Sequence, residues 1–249
     1  MDSYVGKILI TGASSGIGKA TALLFAEEGY QVFATGRRRL DMAELGRCFE
    51  PGVIVPMVLD MRKRTAVENA FKAIGPVDVL INNAGLALGM EPFHEGDVDF
   101  WEDMIDTNIK GILYASHTVA QEMIQAKKGH IIHVTSVAAR QEYPGGNVYS
   151  ATKAAVDSLT RSMRIDLAPH GIKVASIAPG MVDTEFSRVR FLGDERKAQA
   201  VYEGMKPLTA EDIAQTLLWM VKAPEHVNIA EVLILPAAQA SARDVTRVR

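Results

Sequence analysis

Tyr149 and Lys153 stand four residues apart, inside a stretch (149–168) whose pattern predicts a helix. That spacing sets both side chains on one face, one turn apart. A phenol titrates at about pH 10 and is a poor base near neutrality. An ammonium beside it, joined by a bound cationic ring, would stabilise the phenolate and lower that value. The pair could then exchange a proton with an alcohol or carbonyl oxygen. Tyr-x-x-x-Lys by itself also occurs on exposed helices that do no chemistry, so the pair counts only with other groups around it.

Those groups follow from the elements that must hold them. Short Val- and Ile-rich runs at 7–10, 31–35, 53–59, 77–81, 130–135, 173–177 and 231–235 read as buried strands. Helical patterns at 16–28, 40–47, 64–73, 98–125, 149–168 and 210–222 lie between them. The alternation predicts an α/β fold: one Rossmann-type, doubly wound parallel sheet of about seven strands, flanked by helices. Ligands in such sheets gather beyond the carboxyl ends of the strands. A glycine loop follows the first strand there, Asp60 the third, Asn82-Asn83-Ala84-Gly85 the fourth, Ser136 the fifth and Pro179-Gly180 the sixth. Structural residues alone would rarely place so many polar and glycine-rich features on one edge.

The loop Gly12-Ala-Ser-Ser-Gly16-Ile-Gly18 opens a helix. Its glycines permit a tight turn and close approach of a diphosphate, and the free amides of the helix start favour phosphate charge. The spacing is G-x-x-x-G-x-G rather than G-x-G-x-x-G, so the strand–loop–helix context carries the reading. The second strand ends before Gly36-Arg37-Arg38-Arg39, and no Asp or Glu lies in 34–40. An acid here would bind a ribose 2′-hydroxyl; arginine accommodates a 2′-phosphate. NADP(H) is therefore the expected cofactor, with Arg37 its first contact and Arg38 the second.

The chain has 249 residues, 48% hydrophobic, and a formal net charge of −3. That suits one dinucleotide-binding catalytic domain over 1–249 and gives no reason to expect nucleic acid or a membrane as partner. One cysteine, Cys48, allows no internal disulfide. No signal peptide and no apolar run of membrane-spanning length is visible, so a cytoplasmic location is expected. The six histidines, His94, His117, His130, His133, His170 and His226, have no metal-ligand spacing and no metal is expected. His130 and His133 fall on opposite faces of their strand.

Thr11-Gly-Ala-Ser-Ser-Gly-Ile-Gly18, Asn82-Asn-Ala-Gly85, Asn108, Ser136, Tyr149-x-x-x-Lys153 and Pro179-Gly180, in this order, resemble the short-chain dehydrogenase/reductase family. The resemblance runs from about Lys7 to Leu235. It implies hydride transfer between a substrate carbon and nicotinamide, with Tyr149 as general acid/base. Lys153 would hold the nicotinamide ribose and keep the tyrosine pKa low, Ser136 would hydrogen-bond the substrate oxygen, and Asn108 would order a water in the proton path. The implied cofactor set is Gly12, Ser14, Ser15, Gly16, Ile17, Gly18, Arg37, Arg38, Asp60, Met61, Asn83, Ala84, Gly85, Tyr149, Lys153, Pro179, Gly180, Val182 and Thr184. Members form dimers and tetramers, so a homo-oligomer is expected, through the helices at 98–125 and 149–168.

Leu86–Pro92, Trp101–Gly111, Gly145–Lys153, Thr184–Asp194 and His226–Ile229 are similar to a narrower branch. These are the NADP-dependent 3-hydroxy acid dehydrogenases, including serine and allo-threonine dehydrogenases and malonic semialdehyde reductases. The resemblance implies a small-molecule substrate such as L-serine, L-allo-threonine, 3-hydroxyisobutyrate or 3-hydroxypropionate, or the semialdehyde. The non-periodic stretch 179–205 interrupts the strand–helix alternation, and 184–205 is a candidate lid. A substrate carboxylate in a closed site needs a charge partner; Arg188 and Arg190 in the lid are candidates, Arg140 a lesser one. Two other readings stand beside this one: a broader carbonyl/ketone reductase, and a non-catalytic NADP-binding regulator. An open apolar pocket would favour the first, while the intact Ser136, Tyr149 and Lys153 argue against the second. The segment 241–249, with Arg243, Arg247 and Arg249, is either frayed or reaches a neighbouring subunit.

Overall fold

A computed structural model describes residues 4–248. Seven parallel strands form one sheet in the order β3-β2-β1-β4-β5-β6-β7. They are β1 (Lys7–Ile10), β2 (Gln31–Gly36), β3 (Ile54–Val58), β4 (Val79–Asn82), β5 (Gly129–Val134), β6 (Ile172–Pro179) and β7 (Glu231–Ile234). Chain order reverses direction between β1 and β4, which pair Ile8 with Val79 and Ile10 with Ile81. The helices are α1 (Gly16–Glu27), α2 (Arg39–Leu45), α3 (Arg64–Ile74), α4 (Val98–Ile105), α5 (Gly111–Ala126), α6 (Asn147–Leu167), α7 (Glu185–Arg190), α8 (Glu195–Ala200) and α9 (Ala210–Val221).

The central strands are apolar on both faces because helices cover both. Within β1 the alternation is direct. Ile8 and Ile10 join Phe25 of α1 and Ile213 and Leu217 of α9 in one core layer. Leu9 joins Val67 and Phe71 of α3 and Val119 and Met123 of α5 in the other. A one-residue slip of this strand would exchange the two layers.

Two sequence expectations need correction. The single helix expected over 98–125 is two helices joined by a π-helical turn, Asp106–Lys110, that buries Thr107 and Asn108. The turn shifts the apolar phase by a single residue, too small a slip to read from the pattern of a 28-residue stretch. The stretch 179–205 is not irregular: it holds the end of β6 and the two short helices α7 and α8. Each is begun by a side-chain cap, Thr184 accepting from Phe186 N and Asp194 accepting from Lys197 N. Among the described residues, no helix is long and apolar enough to cross a membrane.

Both histidines of β5 are buried, on opposite faces as expected. His133 Nδ1 meets Thr160 Oγ1 at 2.8 Å, and its Nε2 meets Ser116 Oγ at 3.3 Å. Thr160 donates its own hydroxyl to Val156 O, so Nδ1 carries the ring proton and Nε2 accepts from Ser116. Asn82 Nδ2 completes the chain by donating to Ser116 Oγ at 2.9 Å. Burial, with Lys153 adding repulsion, lowers His133 to about 4; burial and Lys173 lower His130 to about 3. Both values lie below the ordinary 6.5, so the unfolded chain binds these protons more readily. The stability held above pH 6.5 is therefore lost as the pH falls towards 4 and 3. Urea unfolding from pH 6 down to 4.5 should lose about 1.4 kcal/mol per pH unit for each histidine. The variant His130→Leu should halve the histidine part of that slope; an unaltered slope would refute the assignment.

Candidate active site

The glycine loop and the turn after β4 are bonded into one unit. Thr11 Oγ1 accepts from Asn83 N at 3.1 Å and from Ala84 N at 3.0 Å. Asn83 Nδ2 donates to the carbonyls of Thr11 and Gly12, each at 3.0 Å. Gly12 has φ +71°, and a Cβ there would lie 2.7 Å from Ala84 Cα. Two separate reasons therefore demand glycine. A Cβ on Gly18 would overlap Gly12 O and Asn83 Nδ2, which makes Gly18 the floor under the loop.

Beyond this unit the strand ends open onto a cleft of about 330 Å³. Its lining includes Gly12, Ser14, Ser15, Gly16, Ile17, Arg37, Arg38, Asp60, Met61, Asn83, Ala84, Gly85, Ser136, Tyr149, Lys153, Pro179, Gly180, Val182 and Thr184. The structure thus brings together every residue expected to hold the dinucleotide except Gly18, which supports the loop from beneath. The donor set fits the group. Ser15, before α1, makes no side-chain cap bond, and the first turn of α1 carries no acid, so its amides remain free for an anion. Two guanidiniums stand at the end of β2, where the extra phosphate of NADP would lie.

Tyr149 and Lys153 enter from α6, both buried. Lys153 Nζ lies 5.9 Å from the centre of the Tyr149 ring and donates to Val134 O at 2.9 Å. Burial lowers this ammonium to about 8. In the protein without a nicotinamide, burial raises the tyrosine above its ordinary 10. Tyr143 raises it further, while Ser136 and Arg190 act the other way. In the protein alone, desolvation of the phenolate outweighs the neighbouring cations. Ser136, at the end of β5, caps a short turn by accepting from Ala138 N at 3.1 Å.

Asn108 does not line the cleft; its neighbour Thr107 does. Its Oδ1 accepts from Leu86 N at 2.9 Å, and its Nδ2 donates to Leu86 O at 2.9 Å and Thr152 Oγ1 at 3.0 Å. Those bonds lock the loop after β4 to α6. A Cβ on Gly85 would stand 3.3 Å from both Asn108 Oδ1 and Lys153 Nζ.

None of the three arginines considered for a substrate acid lines the cleft, but their surroundings differ. Arg188 is half exposed and pairs with Glu195 at 3.5 Å, away from the cleft. Arg140 is held by Glu231 at 2.5 Å and lies near Asp157. Arg190 is buried, with its guanidinium carbon 5.2 Å from the Tyr143 ring centre and 5.6 Å from that of Tyr149. It donates to Tyr143 Oη at 2.6 Å, Gly89 O at 3.2 Å and Gly145 O at 3.4 Å. Sequence reasoning missed the apolar wall of Leu86, Phe186 and Val189. The Phe186 ring sits 5.6 Å from that of Tyr149. It also missed Glu185, which reaches Arg38 at 2.8 Å. Only the fold brings these distant residues together.

Residues 6–194 match the short chain dehydrogenase family. This chain is a short chain dehydrogenase. The NADP-dependent 3-hydroxy acid dehydrogenase YdfG of Salmonella typhi is 43% identical over 240 residues, 94% of this chain and 96% of the relative. The serine 3-dehydrogenase of Agrobacterium fabrum is 42% identical over 245 residues, 95% of this chain and 96% of the relative. Among solved structures, the closed form of serine dehydrogenase complexed with NADP+ superposes with a TM-score of 0.92 at 40% identity. It covers 98% of this chain and 100% of that one. Serine dehydrogenase from Escherichia coli gives 0.82 at 36% identity, covering 94% and 99%.

In this dehydrogenase, Gly18→Ala must push the glycine loop off Asn83 or move α1. The variant should lose about 1–3 kcal/mol of stability by overpacking, measured by urea unfolding. A variant as stable as the parent would show that Gly18 is not the floor described.

Proposed function

We propose that the protein is an NADP(H)-dependent dehydrogenase of small 3-hydroxy acids, interconverting them with their semialdehydes or ketones. The family makes it an oxidoreductase acting on an alcohol group, and NADP(H) is its cofactor. The relatives named for 3-hydroxy acids and serine support the narrower substrate class. The observation that carries it is Arg190. It is 8% exposed and has no carboxylate partner among the described residues. A buried cation is costly unless paired. Its three bonds go to neutral oxygens and use three of its five N–H groups. A substrate carboxylate would supply the missing charge. In a 3-hydroxy acid a single carbon separates the carboxyl from the reacting carbon, so clamp and proton donor must be close neighbours. Arg190 packs against Tyr149.

The chain's own groups then divide the work. When bound, the nicotinamide supplies the hydride acceptor or donor. Ser136 donates a hydrogen bond to the substrate oxygen. Tyr149 Oη gives that oxygen a proton in reduction and takes one in oxidation. Lys153, held by Val134 O, keeps a positive charge beneath the phenol and presents donors to the ribose. Leu86, Phe186 and Val189 exclude water, and 184–205 acts as the lid.

The apolar wall supports a second reading, a broader carbonyl reductase, in which Arg190 only braces the lid. Reduction of NADP+ with L-serine, 3-hydroxyisobutyrate, 3-hydroxypropionate and a plain secondary alcohol separates the two. Turnover confined to the acids is expected; turnover of the plain alcohol alone would sink the 3-hydroxy acid reading. Arg190→Lys should raise KM for the acids about 10- to 100-fold, the worth of a charge-assisted bond. An unchanged KM removes the clamp. Tyr149→Phe should abolish turnover while NADPH still binds. In the parent, kcat/KM for oxidation should rise with pH, because the phenolate is the acting base and its pKa lies high.

A further inference from the structure

The segment after β7 folds back over the loop after β6, which lines the cleft, and over the loop ahead of α6 and the stretch after α8, which flank it. Gln239 is 4% exposed. Its Oε1 accepts from Met181 N at 2.8 Å, and its Nε2 donates to Ser241 O at 3.0 Å. A Cβ on Gly180 would overlap Gln239 Oε1, so the glycine of Pro179-Gly180 makes room for this side chain. Ala242 N donates to Gln141 Oε1 and Arg243 Nε to Glu142 O, both at 2.8 Å. Those two residues precede Tyr143, the partner of Arg190. Val248 N donates to Gly204 O at 2.8 Å, and Arg247 donates to Val201 O at 3.0 Å and to Glu203 O. The segment is itself ordered by a bridge between Gln239 and Val245 and by Thr246 N donating to Ala238 O at 2.8 Å.

The contacts share a geometry that ordinary surface packing does not demand. One reaches the loop after β6, one the loop ahead of α6, and one the far end of 184–205. The near end of that stretch is already tied down by Glu185 on Arg38, and its middle by Arg190. Within 201–204, Tyr202 is held by its hydroxyl, which meets Ser187 Oγ at 2.7 Å and donates to Val182 O at 2.8 Å; the last contact fixes the backbone carbonyls on either side of that anchor.

We propose that 239–248 is a strap that sets the lid, with Arg247 and Arg243 as positioning residues for substrate binding. Neither touches the reacting atoms. Arg247 fixes the carbonyls at the lid's far end, and Arg243 fixes the loop that carries Tyr143. The inference rests on reading 184–205 as the lid. It corrects the expectation of a frayed tail: residues 241–248 are bonded to the rest of the chain, and Arg249 lies outside the described residues.

The test uses the full-length chain with Arg247→Ala, Arg243→Ala and the double variant; both side chains are exposed, so folding is not at risk. Hydrogen exchange is followed in the free protein, KM and kcat with whichever alcohol the parent oxidises, and NADPH affinity by fluorescence titration. Arg247→Ala should speed exchange at 201–205 about tenfold, the effect of losing bonds worth that factor. KM should rise about fivefold, with kcat and NADPH affinity nearly unchanged, and Arg247→Lys should recover part of both effects. Unchanged exchange in 195–205 would overturn the proposal. So would faster exchange with an unchanged KM. Failure of the parent to oxidise any 3-hydroxy acid would defeat the substrate reading alone, since the exchange readout needs no substrate.

Discussion

Everything in the cleft depends on the junction where β1 and β4 part. Two strand ends diverge there, and the chain must cross from each without leaving polar backbone unpaired. Thr11 and Asn83 solve this jointly: one hydroxyl satisfies two amides, and one side-chain amide satisfies two carbonyls. The price in sequence freedom falls on Gly12 and Gly18, which have no room for a side chain. Because four hydrogen bonds tie them together, the glycine loop and the turn after β4 form one rim. The dinucleotide cradle and the position of Asn108 both refer back to that rim.

Burial sets the chemistry more than charge pairing does. Lys153 and Tyr149 on the cleft wall and His133 behind it are each driven by desolvation towards the neutral form. The ammonium is retained because Val134 O accepts from it, and the imidazole stays neutral because both its nitrogens are engaged. Arg190 differs in kind. A guanidinium keeps its proton under any biological condition, so its burial leaves a permanent positive charge beside the phenol.

Legibility in the sequence followed range. Strands, helices and their parallel order could be read from local apolar runs. The cofactor edge could be read because each motif sits directly after its strand, and the sheet alone brings strand ends together. Tyr149 and Lys153 were visible because a helix makes i and i+4 neighbours. What could not be read depends on distant packing. Arg188 and Arg190 have the same type and nearly the same position, yet the short helix α7 turns one to Glu195 and the other to Tyr143. Nothing in their neighbours chooses between them. The burial of the tyrosine was likewise hidden, because the spacing of residues reveals a partner but not the depth at which the pair lies.

The π-helical turn at Asp106–Lys110 has a consequence for phase. A regular helix advances about 100° per residue, and the wider turn absorbs one extra residue between α4 and α5. Met104 before it is buried beside Leu86 and Tyr149, while Ala115, Val119 and Met123 after it are buried against Leu9 and Phe71, and Asn108 is turned inward between the two sets. The turn works as a phase adjuster. Deleting one residue here would restore an ordinary helix and rotate one half of it against the other by about a quarter turn. Either Asn108 or the apolar stripe of α5 would then face the wrong way. The site residue and the core contacts are thus coupled through chain length, independently of the side chains at the intervening positions.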